Sequence, residues 1–137
     1  MEIQAFFDPD TFTLTYAVFD AATGDAVVID PVDEPFLDVD PAFVTARRDR
    51  IALIDVREPA EFTGELGHVP GATLVPLATL SGAAAAWDPR RDIVLVCRSG
   101  GRSARAAMEL ARRGFRHLYN LRGGMLAWNE AHLPVER

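Results

Sequence analysis

The stretch "VLVCRSGGRSARAAMELARRG", Val94–Gly114, holds the only cysteine of the chain. Apolar residues from Ile93 lead straight into Cys97. An unbroken apolar run of this length fits a strand buried on both faces, as in a parallel sheet. Further on, Ala106, Ala107, Leu110 and Ala111 recur at helical spacing, while Arg105, Glu109, Arg112 and Arg113 fall mostly on the opposite side. That pattern predicts a helix over Ser103–Arg113, and Gly114 ends it. Between the two elements lies a short loop, Arg98–Arg102, with Gly100 and Gly101 inside it.

The same alternation runs outward from this stretch. Asp40 is placed to cap a helix with Pro41 at its first position, ending near Arg48. "IALID" (Ile51–Asp55) reads as a second buried strand, and "REPAEF" starts a short helix. A short strand is expected around Ala72–Val75, another at "HLYNL" after the Cys97 helix, and a last helix over Gly124–Ala131 behind a tight Gly123–Gly124 turn. Alternating strands and helices predict an α/β fold, a parallel sheet with helices on both faces. Sites in such sheets lie at the carboxyl ends of the strands, which is where Cys97 sits.

Residues before 40 read differently. Phe12, Leu14, Tyr16 and Val18 alternate with Thr11, Thr13, Thr15 and Ala17, a strand with one apolar face. "DAATGD" is a turn and Ala26–Ile29 a second strand, so residues 11–30 are expected to form a β-hairpin. Residues 32–39, acidic and rich in proline, read as a linker, with the α/β domain over residues 40–137.

Composition narrows the function. The 137 residues carry a formal net charge of −6. Residues 1–40 hold ten acids and no arginine, and the remainder holds fourteen arginines against ten acids. There is no lysine. The acidic part reads as a solvated surface. The overall sign argues against non-specific nucleic-acid binding. No apolar run is long enough to span a bilayer. No basic, apolar leader opens the chain, and a single cysteine makes no internal disulfide. The expected compartment is the cytoplasm.

Two readings of Cys97 compete. Free cysteine is often a small buried core residue. But a structural thiol has no need of "RSGGRS" behind it. Two glycines let successive N–H groups turn inward, a helix N-terminus adds partial positive charge, and Arg98 and Arg102 add full charges. A free thiol titrates near about 8.5, and such surroundings lower it by one to several units. The expectation is a reactive thiolate in an anion cradle.

Residues 40–137 resemble a rhodanese domain, the sulfurtransferase module. "LIDVREPAEF", "GHVPGATLVPL", "IVLVCRSGGRSARAAMEL" and "YNLRGGMLAWNEAHLPV" carry the resemblance, in order and in spacing. It implies a five-stranded parallel sheet and a loop cysteine that accepts a sulfane sulfur as a persulfide. Cys97 is that cysteine. The loop is C-x4-R, Cys97 to Arg102, one residue shorter than the C-x5-R loop of related phosphatases and arsenate reductases. That argues against phosphatase chemistry. Arg98, Ser99, Gly100, Gly101, Arg102 and Ser103 are then the persulfide loop. Arg98 and Arg102 are candidates to bind an anionic donor, and Ser99 and Ser103 to add hydrogen bonds. Arg102 has the alternative of pairing with a buried carboxylate. Asp55, Arg57 and Glu58 either border the pocket or form a salt-bridge network fixing the first loop. His68 matches a family position that usually supports the fold.

No metal or cofactor is expected. The expected partners are small sulfur donors, such as thiosulfate or glutathione persulfide, with thiol or cyanide acceptors. Residues 1–31 resemble the opening strands of the persulfide dioxygenase branch of the metallo-β-lactamase fold, without its H-x-H-x-D-H motif. This implies a remnant of a fusion and a context of sulfide oxidation. The apolar face of Phe12, Leu14, Tyr16 and Val18 and the open strand edges lead to a further expectation: the hairpin either packs on the rhodanese domain or, as the favoured reading, pairs with a second copy in a homodimer. The alternative function is a non-catalytic rhodanese module that docks a partner or senses persulfides.

Overall fold

The computed structural model describes residues 35–137. The hairpin over residues 11–30, the segment 1–31 and the dimer expected through it lie outside the described residues. The strands are β1 (Leu37–Val39), β2 (Ala52–Asp55), β3 (Thr73–Leu74), β4 (Ile93–Val96) and β5 (Leu118–Leu121). The helices are α1 (Pro41–Ala46), α2 (Pro59–Phe62), α3 (Leu80–Ala84), α4 (Gly101–Arg112) and α5 (Gly124–Glu130). The strands form one sheet in the order β1-β5-β4-β2-β3. Every pairing is parallel.

β4 lies at the centre, flanked by β5 and β2. All four of its residues are buried, as the apolar run from Ile93 requires. Its period of two divides the core. Ile93, Leu95 and Cys97 pack on one face with Leu80 of α3 and Ala106 and Leu110 of α4. Val94 and Val96 pack on the other with Val44 of α1 and Met125 and Trp128 of α5. Helices therefore cover both faces. Each fully buried Leu side chain contributes about 1.5–3 kcal/mol, and Leu95 and Leu110 are both at 0 % exposure. This parity points Cys97 toward the α4 side of the sheet.

The Asp40 cap is present: its side chain accepts from the Phe43 N–H at 2.9 Å, with Pro41 in the first turn. α1 stops at Ala46 instead of reaching Arg48, and a 3-10 turn over Arg48–Arg50 replaces its last turn. α4 begins at Gly101, two residues before the expected start at Ser103, because the glycine pair supplies the cap and first turn as well as the loop. Gly114 ends it in the left-handed region, at φ +98°.

Two elements depart from expectation. Residues 32–39, read as a linker, contain β1, which pairs Leu37, Asp38 and Val39 with Tyr119, Asn120 and Leu121. A three-residue edge strand between Pro35 and Pro41 is too short to show a period, so its composition hid it. The domain therefore starts before residue 40. α3 is not among the expected elements. It has no side-chain cap, and it is held by Leu80 and Ala84, four apart and both buried against the sheet.

Candidate active site

Cys97 follows β4 directly, and the chain then turns through Arg98–Gly100 into α4. Gly100 takes φ +107°, a conformation that side chains rarely adopt. A Cβ there would also stand 3.3 Å from the Gly123 nitrogen. This turn brings the Gly100 N–H to 3.0 Å from Cys97 Sγ. Ser103 Oγ, one turn into α4, lies 3.3 Å from the same sulfur. The backbone N–H groups of Ser99 and Ser103 also favour its anion. Burial pushes the thiol up, but the Ser103 hydroxyl and the N–H groups of Ser103, Gly100 and Ser99 outweigh it, so the thiol titrates below its ordinary value. The helix N-terminus acts in the same direction.

The back of the loop is held by α5. The Met125 N–H donates to the Cys97 carbonyl at 2.9 Å, and the Leu126 N–H donates to the Arg98 carbonyl at 3.1 Å. With both carbonyls engaged there, the N–H groups are left to face the sulfur. Such close approach requires Gly124, whose Cβ would sit 2.3 Å from the Cys97 oxygen. The expected Gly123–Gly124 turn is therefore present, and it serves the loop as well as the helix start.

Arg102 forms an ion pair with Glu61. Its Nη1 and Nη2 donate to Glu61 Oε2 and Oε1 at 2.9 and 2.7 Å. The two side chains are 34 % and 32 % exposed. The hydrogen bond from Arg102 lowers Glu61 below its ordinary range, against a smaller opposing effect of burial. Arg102 pairs with a carboxylate, as in its second reading, but that carboxylate is partly exposed and not buried. Glu61 belongs to "REPAEF" but stands 41 residues away in sequence, so no local pattern marks the pair. Arg98 is exposed.

Asp55 and Arg57 form the salt bridge of the second reading, and Glu58 lies outside it. Arg57 Nε and Nη2 donate to Asp55 Oδ1 and Oδ2 at 2.9 and 2.8 Å, and both residues are fully buried. Arg57 Nη2 and Nη1 also donate to the carbonyls of Gly67 and Glu61 at 2.7 and 3.2 Å. Glu58 is exposed and closes a capping box with Glu61 on α2. His68 supports the fold. Its Nδ1 lies 2.8 Å from the Phe62 carbonyl, its ring stacks on Phe62 at 3.7 Å, and its backbone bridges to Glu136.

Two residues of the site carried no recognisable signal. Asn120 of β5 accepts a short hydrogen bond from Ser103 Oγ. Its Nδ2 donates to Asp38 Oδ1 at 3.0 Å and to the Gly100 carbonyl at 3.3 Å. The register that pairs Asp38 with Asn120 sets these contacts. Asp38 was counted as linker, and Asn120 as an ordinary strand residue.

Comparison with known proteins agrees with this geometry. A family model described as "Rhodanese-like domain" matches residues 40–131. A sulfurtransferase of Allochromatium vinosum is 36% identical over 90 residues, which is 66% of this chain and 82% of that protein. An uncharacterized protein of Synechocystis is 39% identical over 89 residues, 65% of this chain, and the match spans only 49% of that protein's length. A rhodanese-related protein of Thermoplasma volcanium has the same fold, with a TM-score of 0.66 at 23% identity over 72% of this chain and 96% of its own. The matched stretch contains β2 to β5, the Cys97 loop and the helices around it, and the chain belongs to the rhodanese-like domain family.

Proposed function

We propose that the chain is a sulfurtransferase that carries a sulfane sulfur on Cys97. One observation supports this above the others: the Cys97 sulfur receives the Gly100 N–H at 3.0 Å and the Ser103 hydroxyl at 3.3 Å, at the start of a 12-residue helix. A thiolate there attacks the outer sulfur of thiosulfate. A new S–S bond forms, the old one breaks, and its electron pair leaves on sulfite. The persulfide carries its negative charge on the outer sulfur, where preorganised N–H groups of the loop stabilise it. An acceptor thiolate or cyanide then attacks that outer sulfur, and the electron pair returns to Cys97. This is covalent catalysis in two half-reactions. Glutathione persulfide enters the same cycle with glutathione thiolate as the leaving group.

Arg98, exposed beside the thiol, is assigned to draw in the anionic donor. Arg102 contributes through its place in the Glu61 pair. Cys97 is only 2 % exposed, which favours a slender donor. That low exposure is also the one feature favouring a non-catalytic module. A reducing cytoplasm, where a single thiol stays free, and a role in sulfide oxidation belong to the proposal. So does a dimer through residues 1–31, read from the mass in solution. The direct test compares thiosulfate:cyanide sulfur transfer in the parent and in Cys97→Ser. Turnover lost in the variant supports the enzyme. Equal activity in both proteins ends the proposal and leaves the docking or sensing module.

A further inference from the structure

Ser103 Oγ has one proton and two acceptors. Cys97 Sγ stands 3.3 Å away on one side, and Asn120 Oδ1 is in close contact on the other. Ser103 is at 0 % exposure and Asn120 at 5 %, so the two acceptors compete for that proton in a buried setting. The Asn120 amide cannot rotate to relieve the conflict. Its Nδ2 faces the Asp38 carboxylate and the Gly100 carbonyl, and turning it over would set an oxygen against both. Oδ1 must therefore face Ser103 in every state of the sulfur.

We propose that Asn120 is a positioning residue that competes with the Cys97 thiolate for the Ser103 hydroxyl proton, so that Ser103 donates to Asn120 whenever the sulfur is protonated or loaded. In the thiol, Cys97 S–H donates to Ser103 Oγ and Ser103 donates to Asn120. In the thiolate, Ser103 turns to the sulfur and Asn120 Oδ1 loses its donor. When Cys97 carries a second sulfur, its own Sγ is a neutral disulfide-type atom and a poor acceptor. Ser103 then returns to Asn120. The empty thiolate is thus held less tightly than its cradle alone would hold it, and the loaded form regains a buried hydrogen bond. Both effects favour loading.

The inference rests on the proposed chemistry of Cys97, but its test reads thiol titration and not turnover. A parent that failed to transfer sulfur would remove the proposed function without touching this result. Charged groups on the surrounding elements include Arg98 on the loop, Arg102, Arg105, Glu109 and Arg112 on α4, Glu61 on α2, Asp55 and Arg57 at the end of β2, Asp38 on β1 and Glu130 on α5. None of them is substituted in the variants used.

The experiment follows the pH dependence of Cys97 alkylation by iodoacetamide in the parent, Asn120→Leu, Ser103→Ala and the double variant. Asn120→Leu should lower the midpoint by about half to one pH unit, because Ser103 then donates to the thiolate without a rival. Ser103→Ala should raise it by about one unit. In the Ser103→Ala background, Asn120→Leu should change nothing. A midpoint that Asn120→Leu leaves unmoved or raises would overturn the proposal. So would an equal shift with and without Ser103, the mark of a merely structural role. Should Asn120→Leu fail to fold, Asn120→Ala replaces it, and the unsubstituted protein gives an independent reading by NMR. There the Asn120 side-chain amide resonances should move as Cys97 ionises. They should return to their low-pH positions when Cys97 is blocked as its methyl disulfide. Resonances that ignore ionisation, or that stay at their thiolate positions in the blocked protein, would contradict it.

Discussion

Two neighbouring strands of this sheet end in opposite ways. At the end of β2 Arg57 closes on Asp55 in the interior, and nearer the surface Glu61 of α2 binds Arg102 of α4. At the end of β4 the donors converge on a single sulfur from Gly100 and Ser103, with no carboxylate bonded to that sulfur among the described residues. The topology is the same in both places, strand then loop then helix. What separates them is whether the loop's hydrogen-bonding capacity is satisfied internally or left directed at one reactive atom. The first corner holds the shape of the domain, and the second is the seat of the proposed chemistry.

That contrast can be broken from either side. The largest effect is expected at the first corner. Arg57→Ala leaves the Asp55 carboxylate buried without its partner, at a cost of about 3–5 kcal/mol. In chemical denaturation the midpoint should fall accordingly, while folded protein keeps its low alkylation midpoint at Cys97. A change confined to the thiol, with stability intact, would show that the corners are not distinct. Next comes Gly124→Ala. Its Cβ would meet the Cys97 carbonyl at 2.3 Å, and Gly124 has φ +55°. Strain and forced displacement should cost about 2–4 kcal/mol. Unlike Arg57→Ala, it should also raise the Cys97 midpoint, because it dislodges the loop from behind. The same alkylation and denaturation curves check both variants.

The smallest effect concerns Glu61. Its pair with Arg102 is about a third exposed, so solvent screening limits it to under about 1 kcal/mol. Arg102 lowers the Glu61 carboxyl in the folded chain. The stability the pair contributes is therefore present above the ordinary carboxylate range and is lost as pH falls through the lowered folded value. Glu61→Gln should be slightly less stable than the parent near neutrality, and the difference should shrink on acidification. A gap that widens in acid would reverse the sign of this account.

The chemistry-bearing part of the fold was legible because it is local. An apolar run, a glycine pair and a helical stripe stand together within Ile93–Gly114, and the Asp40–Pro41 cap is likewise a matter of adjacent residues. What escaped depends on residues distant in sequence. Arg102 and Glu61 are 41 residues apart, and Ser103 and Asn120 are 17 apart. Asp38 meets Asn120 only because a three-residue strand docks on β5. Such a strand has too few residues to show a period, and its prolines and acids imitate a linker. α3 escaped for a related reason. Its helix rests on packing of Leu80 and Ala84 and not on a cap.

The central claim is that Cys97 itself carries the sulfur. The most direct measurement incubates the full chain with thiosulfate and determines the mass of the peptide containing Cys97. The account predicts a gain of one sulfur atom on that peptide, matched by one sulfite released and discharged as thiocyanate when cyanide is added. A Cys97 peptide that gains nothing, or a Cys97→Ser chain that gains as much, would contradict it.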